Sequence, residues 1–221
     1  LASYIGRLNY DFDGKYLISV TGRRDGSSRL SATDRWGWFP SVSGGWRLDR
    51  ESFFPVSESI INLFTVRGSY GELGNENIGD YQYMDVMSRA NYTYSFGNTK
   101  VTGSAISNYV NTAIKWEKKK SLDFGADLAF FNNQLEFTCD WYKNTSTDLL
   151  YSVAVPANAG ATNGTVTMNA ATMVNSGLEF LVAYHNHKNA VKYDISANLS
   201  TTKNKVTSLG VSNEPRTDGY C

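Results

Sequence analysis

Apolar and polar side chains alternate along most of the chain. Over residues 4–12, Tyr4, Gly6, Leu8, Tyr10 and Phe12 fall on one side of an extended backbone, and Ile5, Arg7, Asn9 and Asp11 on the other. Asp13 and Gly14 follow, a dipeptide suited to a tight hairpin turn. The return run sets Tyr16, Ile18 and Val20 against Leu17, Ser19, Thr21 and Arg23. A third strand is predicted over about residues 37–48, where Pro40 argues against a fully paired central position. After an irregular connection, Phe64, Val66, Gly68 and Tyr70 alternate with Leu63, Thr65, Arg67 and Ser69. Residues 72–113 break the pattern, with a short extra hairpin expected around 81–96. It returns with Leu122, Phe124, Ala126, Leu128 and Phe130, turns at Asn132 and Asn133, and continues through Leu135, Phe137, Cys139 and Trp141. A polar loop over about 152–174 precedes a last hairpin. In it Leu178, Phe180, Val182 and Tyr184 lead to a turn at Lys188 and Asn189, then to Tyr193, Ile195, Ala197 and Leu199.

The connections at 13–14, 132–133 and 188–190 are tight, whereas 25–36, 72–113 and 152–174 are long and polar, and the two kinds fall largely on alternate ends of the strands. Aromatics collect beside the tight turns: Tyr10, Phe12, Tyr16, Phe130, Phe131, Tyr184 and Tyr193. Short turns at one end, long loops at the other and aromatics at strand ends are the pattern of an antiparallel transmembrane β-barrel. A barrel also removes the sheet edges that hydrocarbon cannot hydrogen-bond. The expected fold class is therefore all-β, with these residues forming part of such a barrel. Tyr16, Ile18, Val20, Leu178, Phe180 and Val182 are expected to meet lipid. A soluble β-sandwich, acting as an adhesin or a carbohydrate-binding module, is the alternative that alternation also allows.

Composition agrees with an all-β chain: 14 Tyr, 19 Gly, 4 Pro and only 19% charged residues. The 21 basic and 21 acidic residues balance, so no bulk field draws the chain to nucleic acid. Cys139 and Cys221 are too far apart to suggest a disulfide framework or a zinc spacing. The first residues already lie inside a strand pattern and lack an initiator Met, so a piece of a longer protein is expected and a missing leader says nothing about location.

Candidate chemistry is sparse. The run "RRDGSSR" (23–29) lacks the Gly spacing and Lys of a phosphate loop and reads as a charged rim. His185 and His187 share a strand face, but no third metal ligand stands at useful spacing. No Ser elbow or His-centred triad appears, and carboxylates such as Asp123, Asp127, Glu136 and Asp140 follow from strand alternation alone. No enzyme activity, cofactor or metal is expected.

Several blocks together carry a family resemblance. "YIGRLNYDFDGKYLISVTGRRDGSSRL" is followed by "RWGWFPSVSGGWRL", "SFF" and "VRGSYGELGNENIGDY". Later come "IKWEKKKSLDFGADLAFFNNQLEFTCDWYKNTSTDLLY" and "VNSGLEFLVAYHNH". In order and spacing, over residues 4–205, these resemble the later part of the barrel of SusC/RagA-type TonB-dependent outer-membrane transporters. The resemblance implies a plugged barrel of the largest class, of ~22 strands. About eight are recognisable here, so residues 1–221 would be a partial barrel domain, with the plug and the closing strands elsewhere. It further implies import of oligosaccharides or peptides, energy supplied through TonB, a SusD-like surface lipoprotein as lid, and residence in the cell outer membrane. On that basis Arg7, Arg23, Arg67, Asp123, Asp127 and Asp194 are expected to face the lumen. Trp36, Trp38, Asn75, Asn77, Tyr81 and Tyr83 are candidate contacts for solute or lid.

Overall fold

The computed structural model describes residues 1–54, 56–57, 60–80, 82–84, 87–88, 93–106, 110–154, 165–186 and 191–209. Its strands are β1 (Ala2–Phe12), β2 (Tyr16–Gly26), β3 (Trp36–Arg47), β4 (Ile61–Asn75), β5 (Met87–Ser88), β6 (Thr93–Phe96), β7 (Thr99–Thr102), β8 (Ala105–Ile106), β9 (Glu117–Phe130), β10 (Leu135–Ala154), β11 (Thr165–Asn186) and β12 (Tyr193–Leu209). Eight of them form one sheet in the order β1-β2-β3-β4-β9-β10-β11-β12, every pair antiparallel. Each long strand thus lies beside the next one in the chain. This arrangement needs only connections that stay at one end of the sheet.

Register carries the alternation across the whole sheet. Arg7 stands opposite Thr21, Thr21 opposite Ser41, Ser41 opposite Gly71, and Gly71 opposite Ser121. Partners in a ladder share a face. One face is therefore polar from β1 to β12, ending in Asn198, Ser196 and Asp194. The other runs Val66, Ala126, Cys139, Phe180, Leu199 without a charge. Nothing among the described residues covers that apolar face: Leu8 is 70% exposed, and Ile195 and Leu199 are each 63% exposed. A β-sandwich would need a second sheet packed there. The sandwich alternative is therefore corrected to a single open sheet, with β1 and β12 as its edges.

The strands differ from the sequence pattern in three places. β10 and β11 run to 20 and 22 residues, so residues 152–154 and 165–174 of the polar loop expected over 152–174 are strand, while residues 155–164 lie outside the described residues; the two strands rise together as a ribbon above the rest. Residues 81, 85–86 and 89–92 of the extra hairpin expected around 81–96 lie outside the described residues; a hairpin is formed by β6 and β7, and β5 pairs with β8. Pro40 sits within β3 opposite Gly22 of β2, but pairing with β4 begins only at Ser41. Its missing N–H therefore leaves no ladder bond unmade on the β4 side.

The end with the tight turns is closed by aromatics and a compact ionic corner. On the apolar face Phe12, Tyr16, Trp46 and Phe53 form a row with ring centroids 6.2–6.3 Å apart. Glu51 accepts hydrogen bonds from Tyr16 Oη at 2.5 Å and Trp46 Nε1 at 3.0 Å. Beside it, in the one-turn helix Leu48–Arg50, Asp49 accepts two bonds from Arg47, at 2.9 and 2.6 Å, and one from the Phe64 amide at 3.0 Å. Burial alone would raise the Asp49 carboxyl; the Arg47 guanidinium and the Phe64 amide outweigh it and hold it below the usual carboxylate range. A depressed carboxylate stabilises the fold above its unfolded value of about 3.9 and stops doing so as pH falls through its lower folded value. Asp49→Asn should therefore cost about 1.5–3 kcal/mol at neutral pH. In pH-dependent melting of the full-length protein, the gap to wild type should begin to narrow as pH falls below about 4; a gap of constant size from pH 7 down to about pH 2 would exclude this role.

Candidate functional site: the polar face

The polar face holds one dense ionic cluster. Arg67, in the middle of β4, meets β9 and β10 across the sheet because Arg67 stands opposite Gly125, and Gly125 opposite Asp140. Its Nε donates to Asp127 Oδ2 at 2.8 Å and its Nη2 to Asp140 Oδ2 at 2.9 Å, with Asp123 3.8 Å from Nη1. Thr138 Oγ1 adds a bond to Asp127 at 3.0 Å. The guanidinium lies over Gly125: a Cβ there would stand 2.7 Å from Arg67 Cζ and 2.1 Å from Asp140 Oδ1. One arginine is thus shared by three aspartates, and the cluster keeps a net charge of −2 on the face. Bidentate contact fixes the planar guanidinium, so the surplus negative charge is held at a set place on the wall.

Two shallow cavities lie on the same face, the first of them against this cluster. One, of about 620 Å³, is lined by Asn9, Asp11, Ser19, Ser43, Arg67 and Asp123 among others. The other, of about 330 Å³, lies toward the long-loop end between Arg7, Arg23, Ser41 and Ser121. Arg7 Nε donates to Thr21 Oγ1 at 3.1 Å, and Arg23 Nε to Asp25 Oδ1 at 2.8 Å.

Above the second cavity the long connections are joined by an apolar cluster: Leu30, Phe39, Ile78, Ile114 and Trp116, with Leu150 packed against it. Phe39 belongs to the polar face by register, opposite Arg23, yet it is 4% exposed. It fills the seam where β3 and β4 part above Ser41. Glycines admit it: a Cβ at Gly37 or Gly74 would stand 2.4 or 2.0 Å from its ring. Trp116 packs edge-on at 5.5 Å and donates through Nε1 to the Arg35 carbonyl at 3.4 Å. The sequence pattern did not single out these five residues, because four of them lie in or at the end of segments without alternation.

The expected site residues fall as follows. Arg7, Arg23, Arg67, Asp123, Asp127 and Asp194 all lie on the polar face. Asp194 Oδ1 is 2.6 Å from His185 Nδ1, and Glu136 lies 3.9 Å from the other ring nitrogen. Trp36 and Trp38 lie on the apolar face, at the long-loop end. Trp36 stacks on Tyr4 at 5.9 Å and carries the Arg24 guanidinium 4.9 Å from its ring centroid. Asn75 ends β4 and donates to Glu117 at 3.4 Å; Asn77 is exposed and Tyr83 half-buried. Tyr81 and His187 lie outside the described residues. The charges of "RRDGSSR" are paired or stacked: Arg23 with Asp25, Arg29 with Asp80 at 2.9 Å, Arg24 over Trp36. Among the described residues no group of three or more His, Cys, Asp or Glu is arranged to hold a metal ion.

A single antiparallel sheet of long strands, apolar on one face and charged on the other, is the wall of a membrane β-barrel. The chain belongs to the TonB-dependent receptor-like β-barrel family, whose model matches residues 2–220. Members of this family are outer-membrane β-barrels. Similar proteins are the TonB-dependent receptor SusC of Bacteroides thetaiotaomicron, 35% identical over 95% of this chain and 21% of its own length, and the TonB-dependent receptor P39 of Formosa agariphila, 35% identical over 100% and 20%. The RagAB peptide transporter structure superposes with a TM-score of 0.81 at 30% identity, covering 94% of this chain and 22% of that one. The RagAB peptide importer in its open-open state gives 0.82. These relatives make the chain a SusC/RagA-type transporter segment, and it spans about a fifth of their length.

Proposed function

We propose that residues 1–221 are part of the wall of an outer-membrane importer that takes up oligosaccharides or peptides, powered through TonB and served by a SusD-like surface lipoprotein. The observation that supports this is the eight-strand polar face, continuous from Arg7 to Asp194 and backed by a face whose middle ladders are apolar and carry no charge. In this reading the polar face lines the lumen, where Arg7, Arg23, Arg67, Asp123, Asp127 and Asp194 meet water, solute or plug. The apolar face meets lipid. Trp36 and Trp38 then stand at headgroup level with Tyr4, and Asn75, Asn77, Tyr81 and Tyr83 remain candidates for solute or lid among the outer loops. The Arg67 cluster is placed to hold a plug or a passing solute by hydrogen bonds at a fixed height on the wall. The plug and the remaining strands belong to other parts of the full protein.

The test is growth of a strand deleted for the full-length gene on either an oligosaccharide mixture or a peptide mixture as sole carbon source, with complementation. Growth on one class should be lost in the deletion, restored by the gene, and abolished by a protonophore that removes the TonB energy supply. Unchanged growth on both classes would overturn the proposal.

A further inference from the structure

The apolar face ends, at the long-loop side, in lysines. One ladder across the sheet reads Glu72, Lys120, Thr145, Val174, Lys205; the next, one step below, reads Tyr70, Leu122, Lys143, Ser176, Lys203. Below these come ladders of Phe124, Trp141 and Leu178, then Ala126, Cys139 and Phe180, then Leu128, Phe137 and Val182, with no charge. Residues 122–130 of β9 run about 27 Å along the strand, or about 21 Å vertically at a tilt near 40°. The lysines therefore begin about where an apolar band ~25 Å tall ends. The opposite end of the same face carries aromatics in their place, Phe130, Tyr184 and Tyr193.

All four lysines are exposed, and among the described residues only Lys120 has an acidic partner, Glu72 at 3.9 Å. Lys143 and Lys203 flank Ser176 from two strands apart, roughly 9.5 Å. Thr145 and Val174 lie between Lys120 and Lys205 in the ladder above. Four cations thus surround a floor of three small side chains, with one carboxylate at the margin, leaving a net charge of +3. Lysine stems lie along apolar surface while their ammonium groups reach the headgroup layer. A hydroxyl-floored gap with ammonium groups on both sides suits a phosphate monoester, which takes several donors at once.

We infer that this surface, on β9 to β12, binds the phosphate of an anionic lipid in the outer leaflet, seated between Lys143 and Lys203 with Lys120 and Lys205 above. The inference rests on the reading that the apolar face meets lipid. Its test uses the full-length protein in neutral detergent, titrated with phosphorylated lipid A, with dephosphorylated lipid A and with inorganic phosphate. Phosphorylated lipid A should bind, and the dephosphorylated form and free phosphate should bind far more weakly. The Lys120→Gln/Lys143→Gln/Lys203→Gln/Lys205→Gln variant should lose about 100-fold in affinity, and Lys119→Gln, on the opposite face, should lose none. The Lys143→Gln/Lys203→Gln pair carries the comparison if the quadruple variant does not fold. Equal binding of the two lipids, or equal affinity of variant and wild type, would overturn the inference. A spin label at Val182→Cys separates the two failures. A label open to oxygen but shielded from a water-soluble nickel chelate, with no phosphate dependence, overturns this inference alone; a label open to the chelate overturns the lipid-facing reading with it.

Discussion

Phe39→Ala should loosen the long-loop end of the wall by about 3–5 kcal/mol, the usual cost of emptying a buried aromatic site. The ring is 4% exposed, belongs to the cluster that holds Leu30, Ile78 and Ile114 of the long connections against the sheet, and packs edge-on against Trp116. Its loss leaves a cavity that cannot close cheaply. Gly37 and Gly74 already bring two backbones against the ring, and Trp116 is tied to the Arg35 carbonyl. Amide exchange over residues 27–35 and 110–116 of the full-length protein should quicken by at least about a hundredfold, since 1.4 kcal/mol is a factor of ten. Exchange in the turn at residues 131–134, at the far end of the sheet, should not change. Phe39→Leu should recover much of the protection, because it refills most of the volume. Unchanged exchange in Phe39→Ala would show that the cluster does not hold these connections.

Val182→Arg should cost about 2–4 kcal/mol, the cost of a cation near the middle of a lipid-facing strand. Ser196→Arg should cost much less. The two positions are neighbours in space: Val182 stands opposite Ala197, and Ser196 opposite Ala183. They sit at nearly the same height on adjacent strands and occupy opposite faces, so distance from the turn cancels in the comparison. Urea titration of the full-length protein folding into vesicles measures the difference. Equal costs would mean that the apolar face does not meet hydrocarbon.

The strands were legible because a strand's side chains repeat every two residues, and most of these strands carry the repeat without interruption. The tight turns were legible for a related reason. Asp13 and Gly14 adopt φ of 55° and 58°, and Asn132 and Asn133 adopt 58° and 62°, values these residue types accept. Where alternation weakened, the reading failed. Ser152, Val153 and Ala154 look like loop residues, but backbone pairing with β11 carries β10 through them. Main-chain hydrogen bonds, unlike side-chain pattern, are indifferent to residue type. The Arg67 cluster was half legible: alternation places Arg67, Asp123, Asp127 and Asp140 at polar-face positions, but nothing local shows that the three aspartates meet one arginine.

What the sequence by itself determined is the sorting of side chains into two faces and the end at which each connection lies. Both follow from period-two alternation together with turns short enough to preserve parity from one strand to the next. What only the tertiary structure decided is which residues meet across strands. Arg67 reaches Asp127 and Asp140 because β4 pairs with β9 across the connection of residues 76–116. Phe39 leaves the polar pattern of its own face because β3 and β4 separate above Ser41 and leave a gap that an aromatic ring fills. Register across a long connection is set by the fit of whole faces and by side chains distant in sequence, and no local spacing encodes it.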